Sequence, residues 1–173
     1  MEMDRFSASR ELHSLVTLAA PVLSDDRLAL IAGCRSCSVS TWRRRPVSHV
    51  QVVTVEEYLP RLRDWQRWVG PYQVEQAEIE RLVSQPGPET EELAAELAAR
   101  LQVALGTYEL AQISAGCEVA ESRLHRWRSG DCPEKHRAEL IRALGHLRHM
   151  NSWPLPEEGE GRAVRREREL ACV

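Results

Sequence analysis

The chain reads LALIAGCRSCSVSTWR at residues 28–43 and ISAGCEVAESRLHRWR at residues 113–128. A shift of 85 residues superimposes the two stretches, so that apolar and small residues coincide and Trp42 falls on Trp127. The correspondence continues upstream into the apolar segment that precedes each stretch. Since internal repeats decide how the rest of a chain is organised, we interpret this sequence as two copies of one helical module.

Each stretch has the spacing of a helix-turn-helix motif, in which two short helices cross closely and a tight turn joins them. The close crossing requires a small residue, and Ala29 and Ser114 occupy that position in the two copies. At the turn the first copy has Gly33, which adopts a positive φ at little cost, whereas the second copy has Glu118. We expect the tryptophan near the end of each motif to close a core.

Apolar periodicity predicts an all-α fold, with a strand considered only at His49 to Val53. We expect an internal duplication of the helix-turn-helix module. Pro60 is expected to kink or restart a helix that begins near Thr54, and Thr107 is expected to cap the helix that opens the second motif. The predicted organisation is a first module at 7–69, an acidic helical linker at 70–88, a second module at 89–150 and a charged, flexible tail at 151–173.

Charge is distributed unevenly along the chain. The net charge is −3, which is not typical of a protein held to nucleic acid by bulk electrostatics. Residues 25–46 and 119–149 each carry a local excess of +3, whereas residues 74–98 carry −6. The sequence therefore predicts two mildly basic modules separated by an acidic segment, which is either a solvated face or a contact for a basic protein partner.

The stretch Val119-Ala120-Glu121-Ser122-Arg123-Leu124-His125-Arg126-Trp127-Arg128-Ser129-Gly130 resembles the recognition-helix region of lambda-repressor-like and related phage-regulator domains. Residues 29–45 are similar to that family in their turn spacing and less so in their recognition helix. In this family the second helix of the motif lies in the major groove of DNA and its outward side chains read base edges. The resemblance implies DNA contacts in the first copy from Arg35, Ser36, Cys37, Ser40, Thr41 and Arg44, with Arg43 and Arg45 facing the backbone. In the second copy it implies contacts from Ala120, Glu121, Ser122, Arg123, His125 and Arg126, with Arg128 facing the backbone.

The second copy has the richer base-reading chemistry. The planar forks of Arg35 and Arg126 match guanine O6 and N7, and Glu121 can accept from a cytosine amino group. Serine and threonine hydroxyls suit phosphate or adaptable base contacts. We therefore expect the second copy to be the main sequence-reading module.

Other kinds of site have weak signals. Cys34 and Cys37 have metal-ligand spacing, but no second pair of ligands lies nearby, so no metal and no cofactor is predicted. His146 and His149 share a helix face, which a solvated helix end explains better than a metal site. Redox sensing by Cys37, Cys117 or Cys132 is a minor alternative. No catalytic grouping is present, and the chain is not expected to be an enzyme.

The sequence also predicts where the protein acts. Five cysteines with no signal peptide ahead of them predict reduced thiols in the cytoplasm, and no apolar run approaches the length of a membrane span. The leading hypothesis is a bacterial or phage transcriptional regulator that binds double-stranded DNA as an intramolecular pseudo-dimer or a homodimer. The main alternative is an adaptor of the same fold that binds RNA polymerase, a sigma factor or a host defence complex. A third possibility assigns one module to DNA and the other to dimerisation.

Overall fold

The computed structural model describes residues 5–46 and 52–156, and within these ranges the chain contains helices and turns but no strand. The all-α prediction is confirmed. Residues 49–51 of the strand considered above lie outside the described ranges, and Val52 and Val53 are helical. The helices are α1 (Arg5–Ala19), α2 (Asp25–Ala32), α3 (Ser36–Arg44), α4 (Val52–Arg63), α5 (Val69–Ser84), α6 (Thr90–Ala104), α7 (Leu110–Cys117), α8 (Glu121–Arg128) and α9 (Arg137–Arg148). Short 3₁₀ turns span Trp65–Trp68, Glu134–His136 and Met150–Ser152.

The helix boundaries repeat along the chain with the same shift of 85 residues as the sequence. The four helices α1 to α4 correspond in this way to α6 to α9, and the 3₁₀ turn after α4 corresponds to the one after α9. The paired first residues are Arg5 and Thr90, Asp25 and Leu110, Ser36 and Glu121, and Val52 and Arg137. Origin by duplication stays a prediction.

Each half has its own apolar core, and the equivalent positions are buried in both. The first core is built from α1 to α4 and includes Leu12, Val16, Leu28, Val39, Trp42, Leu59 and Leu62. The second is built from α6 to α9 and includes Leu97, Leu101, Ile113, Leu124, Trp127, Leu144 and Leu147. The exposed fraction of Trp42 is 6% and that of Trp127 is 1%, so both tryptophans close their cores as expected. Trp65 and Trp68 pack against the first core.

The two halves are joined through their central helices. Helix α2 packs on α7, and Leu30 of α2 contributes to the second core. Helix α5 packs along α9 and buries Ile79 against the backbone of Gly145, where the space for a side chain is filled. The segment predicted as an acidic helical linker at 70–88 is helical to Ser84, and this helix packs along α9.

Several predicted boundaries were displaced. Helix α7 is capped by Glu109 and Gln112, which form a reciprocal capping box, and not by Thr107. Helix α4 continues through Pro60 for three more residues before the 3₁₀ turn. The tail was predicted to begin at 151, but Trp153 is 2% exposed and belongs to the second core, because its indole fills the space over Gly116. Residues 157–173 of that tail lie outside the described residues.

Among the described residues, no helix combines the length and apolar character needed to cross a membrane.

Candidate nucleic-acid interface

Both motifs make the same left-handed turn. Gly33, which ends α2, has φ 79° and ψ 31°, and Glu118, which ends α7, has φ 56° and ψ 38°. In the described chain Glu118 is the one residue other than glycine with positive φ. A side chain is strained in this region, so the second copy needs compensating contacts that the first copy does not. The turn that precedes α3 and the turn that precedes α8 therefore have similar backbone conformations, although the residues differ.

The outward face of α3 is exposed but partly held by acidic side chains of α2. The predicted contact residues Arg35, Cys37, Thr41, Arg43, Arg44 and Arg45 are exposed, and Ser36 and Ser40 are half-buried. Ser36 donates a hydrogen bond to Asp26, and Ser40 donates to Asp25 Oδ2 at 2.8 Å. Arg43 Nη1 lies 3.0 Å from Asp25 Oδ1. Two hydroxyls and one guanidinium of the first copy are thus already engaged within the module.

The outward face of α8 carries the remaining predicted contacts. Ala120, Glu121, Ser122, His125, Arg126 and Arg128 are exposed, and Arg123 is half-buried. Arg123 is paired with Glu139 at the start of α9. Arg126 donates from Nε and Nη2 to Asp131 Oδ2 at 3.0 and 2.8 Å. Since Arg126 and Asp131 are both mostly exposed, this pair is weakly held and can exchange for another acceptor.

Three arginines of the two predicted reading faces and their flanks have side chains that form no hydrogen bond or ion pair with another described residue. They are Arg44, Arg45 and Arg128. All three lie near the carboxyl ends of α3 and α8, where the orphan carbonyls of a helix favour positive charge. These three side chains therefore lie at corresponding ends of the two helices.

A buried polar cluster lies between the two modules, which the sequence did not predict. Arg27 of α2 donates from Nη2 to Glu75 Oε1 of α5 at 2.6 Å and to the carbonyl of Gly116 at 3.3 Å. The Arg27 guanidinium also lies 4.9 Å from the ring centre of Tyr72 and 5.5 Å from that of Trp153. The exposed fractions of the Arg27 and Glu75 side chains are 3% and 1%. A charge from the first module is thereby held inside the second.

The same cluster contains His146 of α9. Its Nδ1 lies 2.5 Å from Glu75 Oε1, and its Nε2 lies 3.4 Å from Glu118 Oε2. Trp153 Nε1 also donates to Glu75 Oε1, at 3.4 Å. Burial lowers the pKa of His146, but hydrogen bonds to Glu118 and Glu75 outweigh that effect and hold the pKa above its ordinary value. The imidazolium form of His146 is therefore favoured in the folded protein.

Glu118 links this cluster to the turn of the second motif. Its carboxylate accepts hydrogen bonds from Ser24, the N-cap of α2, and from the Tyr72 hydroxyl at 2.7 Å. Burial opposes ionisation of Glu118, but hydrogen bonds from His146, Ser24 and Tyr72 prevail and lower its pKa to about 2. These contacts offset the strain of the positive φ, which explains why the turn tolerates glutamate.

The sequence did not indicate that Arg27, Glu75, Glu118 and His146 belong to one cluster. His146 was interpreted as part of a solvated helix end, which was wrong, because its side chain is 3% exposed and lies between two carboxylates. A usable signal was present for Glu75. It falls between Tyr72 and Ile79 at helical spacing on an otherwise apolar stripe of α5, and a carboxylate on such a stripe needs a buried partner.

The four cysteines among the described residues differ in burial. Cys34 is half-buried against the first core, Cys37 is exposed and Cys132 is half-buried. Burial raises the pKa of the Cys117 thiol well above its ordinary value, and burial also raises that of Cys132. Since the thiolate is the reactive form, neither of these two residues is suited to redox sensing.

The acidic segment at 74–98 faces basic residues of α9. Glu78 Oε2 lies 2.8 Å from His149 Nε2, and Arg142 Nη1 donates to Glu80 Oε1 at 2.8 Å. Glu96 of α6 receives two hydrogen bonds from Arg148. Much of the local negative charge is therefore balanced within the molecule.

Comparison with known proteins finds no matching family model, no matching curated protein and no matching solved structure.

Proposed function

We propose that this protein is a sequence-specific transcriptional regulator that binds double-stranded DNA, with α8 as its main reading helix. The observation that carries the proposal is the exposed face of α8, which follows a left-handed turn and presents Glu121, Ser122, His125 and Arg126 outward. Side chains of these types form the hydrogen bonds by which base edges are read in the major groove. Arg128, with no partner among the described residues, adds a phosphate contact.

The first module contributes less to reading in this proposal. Ser36, Ser40 and Arg43 are engaged by the carboxylates of Asp25 and Asp26, so their rearrangement would cost interactions that already exist. Arg44 and Arg45 remain accessible and suit backbone phosphates. The first module then adds affinity, and the second adds most of the sequence preference.

A salt-titrated binding assay of the full chain against fragments of the source genome tests this proposal. We expect at least one fragment to bind more tightly than random DNA, with an affinity that falls steeply as salt rises. Replacement of a base-reading arginine, Arg126→Ala, should cost about 1–3 kcal/mol and relax the sequence preference. Arg44→Ala should lower the affinity for every fragment by a similar factor, because a phosphate contact carries no sequence information.

Arg81→Ala is the matched control, because Arg81 is an exposed arginine of α5 that lies on neither motif. It should leave binding unchanged. If no fragment exceeds random DNA at low salt, or if Arg81→Ala weakens binding as much as Arg126→Ala, the proposal fails.

A protein-binding adaptor is the second candidate, and one observation favours it. The N-terminus of α2 carries the carboxylates of Asp25 and Asp26. In the resembled family the first helix of the motif crosses the DNA backbone, where carboxylates repel phosphate. Titration against purified RNA polymerase and sigma factor distinguishes the candidates. Saturable binding that Arg126→Ala weakens, without any DNA preference, would favour the adaptor.

A further inference from the structure

The packing of α5 on α9 includes three contacts along one face of α9, in addition to the contact between Glu78 and His149 described above. Ile79 packs over Gly145, Glu75 contacts His146, and Arg142 donates to Glu80. These contacts occupy a face of α9 that would otherwise be open. The second module therefore consists of its four repeated helices and a covering helix.

The counterpart face of α4 is an open groove. We define the α4 groove as the cavity of about 810 Å³ whose lining includes Pro60, Arg61, Asp64, Trp68, Trp153 and Leu155. The positions 60, 61 and 64 lie 85 residues before 145, 146 and 149, and α5 contacts the residues at those three positions. The groove is thus the surface of the first module that corresponds to the covered surface of the second.

The last described residues of the chain reach this groove. Arg61 Nη2 donates to the carbonyl of Leu155 at 2.6 Å, and Pro154 also lines the cavity. The shift of 85 residues places Trp68 on Trp153 and Pro71 on Pro156, so the sequence that corresponds to α5 is residues 154–169. The chain therefore arrives at the groove with the segment that corresponds to the covering helix still to follow.

That segment complements α4 at two of the three charged contacts. The counterpart of the Glu75–His146 pair is Glu160 with Arg61, again a carboxylate facing a cation. The counterpart of the Glu80–Arg142 pair is Arg165 with Glu57, in which the two charges are exchanged but still opposite.

The apolar contact is matched as well. The counterpart of Ile79 over Gly145 is Val164 over Pro60, where a smaller side chain faces a larger one. The fourth contact, Glu78 with His149, has Ala163 and Asp64 as counterparts and is not reproduced. Two of the three ion pairs and the apolar contact thus have complementary counterparts.

We propose that residues 157–169 of this chain dock in the α4 groove and cover α4 as α5 covers α9. The occupant is the same molecule's own segment, because residues 154–156 already lead the chain to the groove. Glu160 then faces Arg61, Val164 faces Pro60, and Arg165 faces Glu57. This inference does not depend on the proposed DNA binding.

A charge exchange tests the proposal in the full chain. Arg61→Glu and Glu160→Arg should each lower the midpoint of thermal unfolding, and the double variant should recover part of the loss, because it restores an opposite-charge pair but not the hydrogen bond from Arg61 to the carbonyl of Leu155. Glu158→Arg is the matched control, since its counterpart Gln73 lies on the exposed face of α5. It makes the same change in the same segment and should have no effect. Absence of recovery in the double variant would overturn the proposal.

Hydrogen exchange provides a second measurement. A chain ended after Pro156 should exchange the amides of α4 about tenfold faster or more, while the amides of α9 keep their rates. Equal exchange of α4 in the two chains would overturn the proposal. Mixing Arg61→Glu chains with Glu160→Arg chains distinguishes the occupant. Recovery in that mixture would show that the groove takes the segment of a second copy, which contradicts docking within one chain.

Discussion

The imidazole Nδ1 of His146 lies 2.5 Å from Glu75 Oε1, and the exposed fractions of the two side chains are 3% and 1%. With Arg27 and Glu118 they form a cluster of two cations and two carboxylates when His146 is protonated. Buried charges are tolerated only when they are paired and hydrogen-bonded. Since Arg27 comes from the first module and His146 from the second, the protonation of one imidazole is linked to the contact between modules.

The free energy of unfolding should depend on pH through His146. Its pKa is raised from the ordinary value of 6.5, so its contribution is fully present below about pH 6.5 and is lost as the pH rises through the raised pKa. Glu118 acts in the opposite direction. Its pKa is lowered to about 2 from 4.5, so its contribution is present above pH 4.5 and is lost as the pH falls towards 2. Urea unfolding at a series of pH values measures both the alkaline loss of stability through His146 and the acidic loss through Glu118.

His146→Gln should remove the loss of stability on the alkaline side, because glutamine does not titrate. His125→Gln is the matched control, since His125 is exposed on α8. The control should keep the wild-type pH profile. An unchanged alkaline limb in His146→Gln would contradict the assignment.

Loss of the buried Arg27 guanidinium should lower the free energy of unfolding. Arg27→Met leaves Glu75 with fewer partners in an apolar setting, and removal of one member of a buried ion pair typically costs about 3–5 kcal/mol. The double variant Arg27→Met with Glu75→Gln should recover part of this loss, because the uncompensated charge is gone. Arg81→Met on the surface of α5 should change stability by less than about 0.5 kcal/mol. Denaturant unfolding that gives equal losses for Arg27→Met and Arg81→Met would refute the role of the cluster.

Two glycines within helices should differ in how strongly substitution by alanine destabilises the protein. A Cβ at Gly116 of α7 would fall on the indole ring of Trp153, so Gly116→Ala should destabilise by about 1–3 kcal/mol. A Cβ at Gly70 of α5 meets nothing within 4 Å apart from its chain neighbours, so Gly70→Ala should destabilise less than Gly116→Ala, although the following Pro71 opposes a side chain in helical conformation. Thermal unfolding of the pair is the measurement, and a stabilising Gly116→Ala would show that Trp153 does not fill that space.

The turns at Gly33 and Glu118 should respond differently to substitution, although both have a left-handed backbone conformation. Gly33→Ala places a side chain at φ 79° and should cost about 1–2 kcal/mol. Glu118→Gly relieves the same strain but removes acceptors for Ser24, Tyr72 and His146, and we expect a net loss. Stability measured by chemical unfolding distinguishes the two effects. A gain in stability from Glu118→Gly would mean that the hydrogen bonds contribute less than the strain costs.

Local pattern was sufficient for the repeated helices and their cores. The positions of Trp42 and Trp127, the turn at Gly33 and the exposed face of α8 all follow from helical spacing within a few turns, where neighbours in sequence are neighbours in space. Boundaries were less predictable. Thr107 has the side chain of a good N-cap, yet Glu109 and Gln112 provide the cap, because the reciprocal capping box satisfies two backbone donors at once.

The buried cluster was beyond local reasoning. In the sequence Glu75 is one of seven glutamates in a polar stretch, and its partners Arg27 and His146 lie 48 residues before and 71 residues after it. No periodicity relates positions that are so far apart. Their meeting depends on how α2, α5 and α9 pack, which is a property of the assembled molecule.

The sequence by itself determined an all-α chain, because apolar spacing and turn residues act over a few positions, and it predicted the shift of 85 residues that the helix boundaries also follow. The tertiary structure decided that α2 packs on α7 and that α5 covers α9. It also decided that three ionisable side chains, those of Arg27, Glu75 and His146, are buried where the modules meet, with half-buried Glu118 beside them. The physical reason is that a charge leaves water only when a partner of opposite sign is already in place, and the partner is supplied by packing between distant segments.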